Sequence, residues 1–193
     1  MKKRGQIWVE TVIYILIGLT IFGGLLYVAL PKINEYRDQA VLAQSKQSLS
    51  NLNDEIQSVL ASPWNKREVS LKVLNGEYNI DPKNSTISFI LKKTKLKYSE
   101  PGFSYNDGDI TILTLDNWNK VYDIHLYLNY SYLNLTYEVL SFSKVLTSSP
   151  NGYNLLVENL GKINNKTHLN IKPFWYGAFN YKSFSEYTPV TNY

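Results

Sequence analysis

The chain of 193 residues contains no cysteine, two histidines and one methionine. Without cysteine there is neither a disulfide framework nor a thiolate metal site, so an extracytoplasmic domain of this size must be held by its own core. His125 and His168 have no Cys, His or carboxylate cluster at metal-ligand spacing, and they read as ordinary half-exposed strand residues. No phosphate-binding glycine loop and no nucleophile elbow occurs. Tyr105-Asn106-Asp107-Gly108-Asp109 faintly resembles a calcium loop, but the twelve-residue pattern with its final glutamate is missing, and it reads as a turn. These absences argue against an enzyme and a cofactor and favour a structural or adhesive role. Charge is equally sparse in pattern. The net +4 is spread along the chain, and the one dense cluster, Lys2-Lys3-Arg4, stands directly before an apolar stretch. That is a topogenic signal rather than a nucleic-acid footprint.

What is abundant is apolar sequence at one end and aromatic sequence at the other. From Ile7 to Leu30 only Glu10 is charged, and Thr11–Leu30 is an uninterrupted run of 20 residues. A helix of that length covers about 30 Å, enough to cross the hydrocarbon core of a bilayer, with the basic cluster held on the cytoplasmic side and the remainder outside. A cleavable secretory signal fits less well, because the run exceeds the ~7–15 residues of its apolar region and no small-x-small cleavage site precedes a polar start. Beyond Pro31 the spacing turns amphipathic. Ile33, Tyr36, Ala40, Leu42, Leu49, Leu52, Ile56, Val59 and Leu60 predict a helix with one face to bury, ended by Ser62-Pro63. Pro31 and Gly23-Gly24 mark positions for a kink.

The stretch Lys2-Lys3-Arg4-Gly5-Gln6-Ile7-Trp8-Val9-Glu10 resembles the class III signal sequence of archaeal type IV pilins, and the resemblance covers about the first sixty residues. It implies that a prepilin peptidase cuts after Gly5, leaving Gln6 as the first mature residue and Glu10 as the acidic fifth. The third mature residue, often serine in that family, is Trp8 here. The resemblance further implies copies of the same chain as partners in a helical filament. An assembly ATPase, a platform protein and, before assembly, the membrane complete the set. The new α-amino group of one subunit would meet the glutamate of a neighbour; cyclisation of Gln6 would turn that ion pair into a hydrogen bond. Gly18, Gly23 and Gly24 would let helices approach closely. The expected location is a membrane-inserted precursor with its head outside, then an extracellular pilus. Two rival readings remain open: a single-pass anchored extracytoplasmic binding protein, and a minor pseudopilin of a secretion or DNA-uptake machine.

After Pro63 the period changes to alternation. Of 27 Phe, Tyr and Trp residues most lie beyond residue 60, which excludes a disordered tail as the reading of this half. Expected strands are 69–74, 87–97, 109–115, 121–137, 153–160 and 167–172, with turns at Asn75-Gly76, Pro150-Asn151-Gly152 and Asn164-Asn165. The slip in phase at Leu133 predicts a bulge or turn inside the long run. The organisation predicted is α+β. A leader spans 1–5, a transmembrane and filament-core helix 6–31, an amphipathic stalk helix 32–62 and an antiparallel β-rich head 63–193. Four N-x-[ST] sequons, at Asn84, Asn129, Asn134 and Asn165, are candidate glycosylation sites if the head is extracellular. The closing aromatics around Phe174-Trp175-Tyr176 read as a terminal strand or a sticky surface.

Overall fold

The structure is a computed structural model that describes residues 3–174, with side chains from Trp8 onward. Met1, Lys2 and the tail from Trp175 to Tyr193 lie outside the described residues, as do the side chains of Lys3, Arg4, Gln6 and Ile7; Gly5 is described by its helical backbone alone.

The N-terminal third is one helix, α1 (Lys3–Leu60), of 58 residues and about 87 Å. As the sequence predicts, the apolar helix continues through Pro31 into the amphipathic one, and α1 has no break there. Proline removes one backbone bond, the one to Tyr27, and both residues lie on open helix surface where the freed carbonyl is not trapped in a core. The expected stop holds. The chain turns at 61–64, and the last carbonyls are met from outside the helix: Asn159 Nδ2 donates to Val59 O and Ser62 O, and Asn65 Nδ2 to Ser58 O.

Eight strands follow: β1 (Lys66–Asp81), β2 (Thr86–Thr94), β3 (Ser104–Asp107), β4 (Ile110–Asp116), β5 (Tyr122–Asn129), β6 (Leu133–Tyr137), β7 (Lys144–Ile163) and β8 (Lys166–Pro173). They form one sheet in the order β3-β4-β5-β2-β1-β7-β8-β6. All pairs are antiparallel but one. β6 runs parallel to β8, which corrects the expectation of a purely antiparallel head: β6 leaves β5 through the short turn 130–132 and joins the far edge of the sheet instead of its neighbour.

Two predicted turns are absent as turns. At Asn75-Gly76 and at Pro150-Asn151-Gly152 the strands continue, and the β1–β7 ladder shifts register between Leu71 and Val73 and again between Val73 and Glu77. Gly76 has φ +87° and a Cβ there would sit 2.6 Å from Ile90 O; Gly152 has φ +68° and would meet Leu71 O at 2.7 Å. These glycines therefore make bulges, one residue type satisfying both the left-handed backbone and the close neighbour. The bulge in β1 also flips the buried phase. Val69, Leu71 and Val73 face inward before it, Tyr78 and Ile80 after it.

The core lies between one stripe of α1 and the inner sheet face. Val41, Leu42, Leu49, Leu52, Ile56 and Val59 are buried against residues such as Leu71, Tyr78, Phe89, Ile112, Leu126 and Leu155. Ile33 and Tyr36, which fit the stripe by spacing, are exposed, because the sheet reaches the helix only from about residue 37.

Candidate membrane-spanning and assembly helix

The helix has three consecutive characters. From Val41 onward its apolar stripe is covered by the sheet. From Lys32 to Asp38 it carries charge, with Lys32 Nζ 2.9 Å from Glu35 Oε2. Before Pro31 it is bare: Trp8 is 72% exposed and Tyr27 83%, and the apolar stretch long enough to cross a membrane has no residue buried by the rest of the chain. Exposed apolar surface on this scale marks a surface meant for lipid or for another chain.

Glu10 sits within that bare stretch, and no cation among the residues whose side chains are described, Trp8 onward, comes within ion-pair distance of it. A Cβ on Gly18, Gly23 or Gly24 would meet nothing within 4 Å. Mid-helix glycine costs about 1 kcal/mol relative to alanine, and nothing in the chain's own packing requires these three.

The head does not gather the remaining predicted residues into a reactive site. Among the described residues no group of three His, Cys, Asp or Glu is placed to hold a metal. His125 lies half-buried in β5 and His168 in β8, with Nε2 3.2 Å from Thr136 Oγ1. Burial holds both imidazoles below their ordinary range; at His125 the field of Asp123 partly opposes it. Tyr105–Asp109, read as a turn, is the β3–β4 hairpin, with Gly108 and Asp109 at the turn itself. Its carboxylates hold the hairpin to the helix: Asp107 pairs with Lys46, and Asp109 Oδ2 accepts from Asn53 Nδ2 at 2.8 Å. Asn53 Oδ1 in turn accepts from the buried Tyr130 hydroxyl at 2.9 Å. Burial drives that phenol far above its ordinary range, so it stays a donor.

All four sequon asparagines are exposed. Asn84 lies in the β1–β2 turn, Asn129 ends β5, Asn134 is in β6 and Asn165 is in the β7–β8 turn. Hydrogen bonds from Ser85 Oγ to Leu133 O and from Lys166 Nζ to Ser131 O join these three connections, so the four sequons share one end of the head.

Sequence reasoning missed one polar row. Lys66, Glu158, Asn170 and Thr136 stand opposite one another across β1, β7, β8 and β6. Glu158 is buried between Lys66 and Lys172, each 2.9 Å from a carboxylate oxygen. Burial alone would raise its pKa, but the hydrogen bonds from Lys172 and Lys66 outweigh it and hold the carboxyl below the ordinary glutamate range. The row frames an outer cleft of about 580 Å³ with Trp64 and Val139 on its walls. Nothing in the local pattern of β7 separates Glu158 from a solvated strand residue. A second cleft, of about 520 Å³, lies at the neck between α1 and the β2 end, lined by Tyr27, Arg37, Lys92, Lys93 and Lys95 among others.

Comparison with known proteins finds no match: no family model, no curated protein and no solved structure aligns with this chain.

Proposed function

We propose that the chain is the precursor of a structural or adhesive subunit of an archaeal type IV pilus-like filament, inserted in the membrane, cut after Gly5 and assembled through α1. The observation that carries this reading is the division of one unbroken helix into a bare apolar part and a head-covered part. A helix that is greasy on all sides and has none of its apolar stretch buried by its own chain can serve in lipid and then, released from its leader, in a bundle of identical helices. The uncompensated glycines and the lone Glu10 support assembly over simple anchoring. An anchor gains nothing from either, whereas a packed bundle supplies close neighbours for the first and an α-amino or amide partner for the second.

Mass spectrometry of the chain recovered from surface filaments tests processing: the mature N-terminus is expected at Gln6 or its cyclised form, and a chain still beginning at Met1 or Lys2 refutes it. Glu10→Ala separates a filament subunit from an anchored binding protein. The variant is expected to insert in membranes yet to lose filaments, and undiminished filaments would remove Glu10 from assembly.

A further inference from the structure

The register of the β2–β5 ladder shifts between Leu91 and Thr94, where two residues, Lys92 and Lys93, stand against the single Asp123 of β5. Lys93 takes a left-handed backbone (φ +55°) and its N–H donates to Asp123 Oδ1 at 2.7 Å, which fixes the bulge in place. Thr94, buried, donates through Oγ1 to Asp38 Oδ2 at 2.6 Å. That bond ties the lysine bulge to α1 eight residues beyond Leu30, about 12 Å along the axis. Lys92, Lys93 and Lys95 thereby share one cleft with Arg37 and with Tyr27, Leu30 and Pro31, the closing residues of the apolar run.

Four cations and two carboxylates line the cleft. Glu35 is paired with Lys32, and Lys92 Nζ lies 2.5 Å from Glu77 Oε1; Arg37, Lys93 and Lys95 have no carboxylate within ion-pair distance among the described residues, and against these three cations stands the Asp38 carboxylate, which the neutral Thr94 hydroxyl does not cancel. The cleft is thus cationic at its upper wall and apolar or aromatic at its lower one. We propose that it is a headgroup site for an anionic membrane lipid, occupied while α1 spans the bilayer, with the phosphate among Arg37, Lys93 and Lys95 and the acyl chains running down past Leu30 and Tyr27. The proposal rests on the reading of Thr11–Leu30 as a span, because only then does the cleft open at headgroup level. An exposed tyrosine and long cationic stems at that height are the residues an interface favours, and basic residues beside a span are drawn to anionic lipid. The site holds the head down on the leaflet in one orientation, and the chain gives it up on leaving lipid.

The test uses the full chain in lipid nanodiscs of neutral phosphatidylcholine, or of phosphatidylcholine with one third phosphatidylglycerol. A fluorophore on Phe22→Cys reports quenching by acyl-chain spin labels, and one on Asn75→Cys reports quenching by headgroup spin labels. Phe22 quenching is expected in both discs. Asn75 quenching is expected to be several-fold stronger with phosphatidylglycerol, and to fall to the neutral-disc level in K92Q/K93Q/K95Q or in 0.5 M salt. Equal Asn75 quenching in both discs, or quenching indifferent to the three substitutions, overturns the headgroup site while leaving the span intact. Absent Phe22 quenching overturns the span and the site together. Protection of the 92–95 amides from exchange by millimolar inorganic phosphate in neutral discs would make this a soluble-anion site, and would also overturn the proposal.

Discussion

At the scale of single residues the head is held by a few buried polar groups whose protonation sets its tolerance of acid. Glu158 has a folded pKa below its ordinary value, so between the two the unfolded chain binds more protons than the folded one. Its stabilisation is therefore complete above the ordinary carboxyl pKa of about 4.3 and is lost as pH falls through the folded value. His125 and His168 are also depressed, so each begins to cost stability as pH drops below about 6.5. Stability measured by denaturant titration is expected to decline in two steps on acidification. Glu158→Gln should remove part of the lower step only, and should cost about 1–3 kcal/mol at neutral pH, because the two lysines can turn back to water. Asn159 is a second such residue. Its amide satisfies two carbonyls at the end of α1 while its Oδ1 accepts from Gly161 N–H, so Asn159→Ala is expected to lower the unfolding free energy by about 1–3 kcal/mol with no change in membrane insertion.

At the scale of elements, the same apolar spacing has opposite consequences along one helix. Leu52 is fully buried and Ile33 is 58% exposed. Leu52→Ala is expected to destabilise the head by about 2–5 kcal/mol and Ile33→Ala by less than about 0.5 kcal/mol, read by denaturant titration in detergent. The stripe from Leu42 to Val59 was legible from the sequence because its period is long and sustained. Its lower limit was not, since where the sheet begins to cover the helix is set by tertiary contact and not by any residue of the helix. The strands of regular alternation, such as Ile124-Leu126-Leu128, were equally legible, as were the Asn164-Asn165 turn and the break before Leu133. Asn75-Gly76 and Pro150-Asn151-Gly152 misled because positive-φ residues serve hairpins and bulges alike, and only the partner strand decides between them. Gly76→Ala distinguishes the two uses. In a solvated turn it would cost little, whereas here the methyl would strike Ile90 O and the Phe89 ring, and a loss of more than about 2 kcal/mol is expected by the same titration.

For the whole molecule, the chain divides into a head that buries its own core and a helix that leaves an equally apolar surface unburied. Diluting detergent below its micelle threshold is expected to move the full chain from monomer to high-mass species by light scattering. The near-ultraviolet circular dichroism of the head should stay unchanged. The membrane-length helix and its isolated acid were legible because they depend on composition and spacing alone. The neck cleft and the Lys66–Glu158–Lys172 cluster were not, because they join residues up to about a hundred positions apart that no local pattern connects.

The contact between α1 and the sheet runs alongside the helix from Val41 to Val59, a seam of about 27 Å. If one end of the chain is fixed and the other is tugged, the pull runs parallel to that seam. Buried side chains along its whole length must then slide together, instead of parting one after another as in a peeled hairpin. Mechanical strength follows from the direction of loading, and a head tethered only at its tip would have none of it.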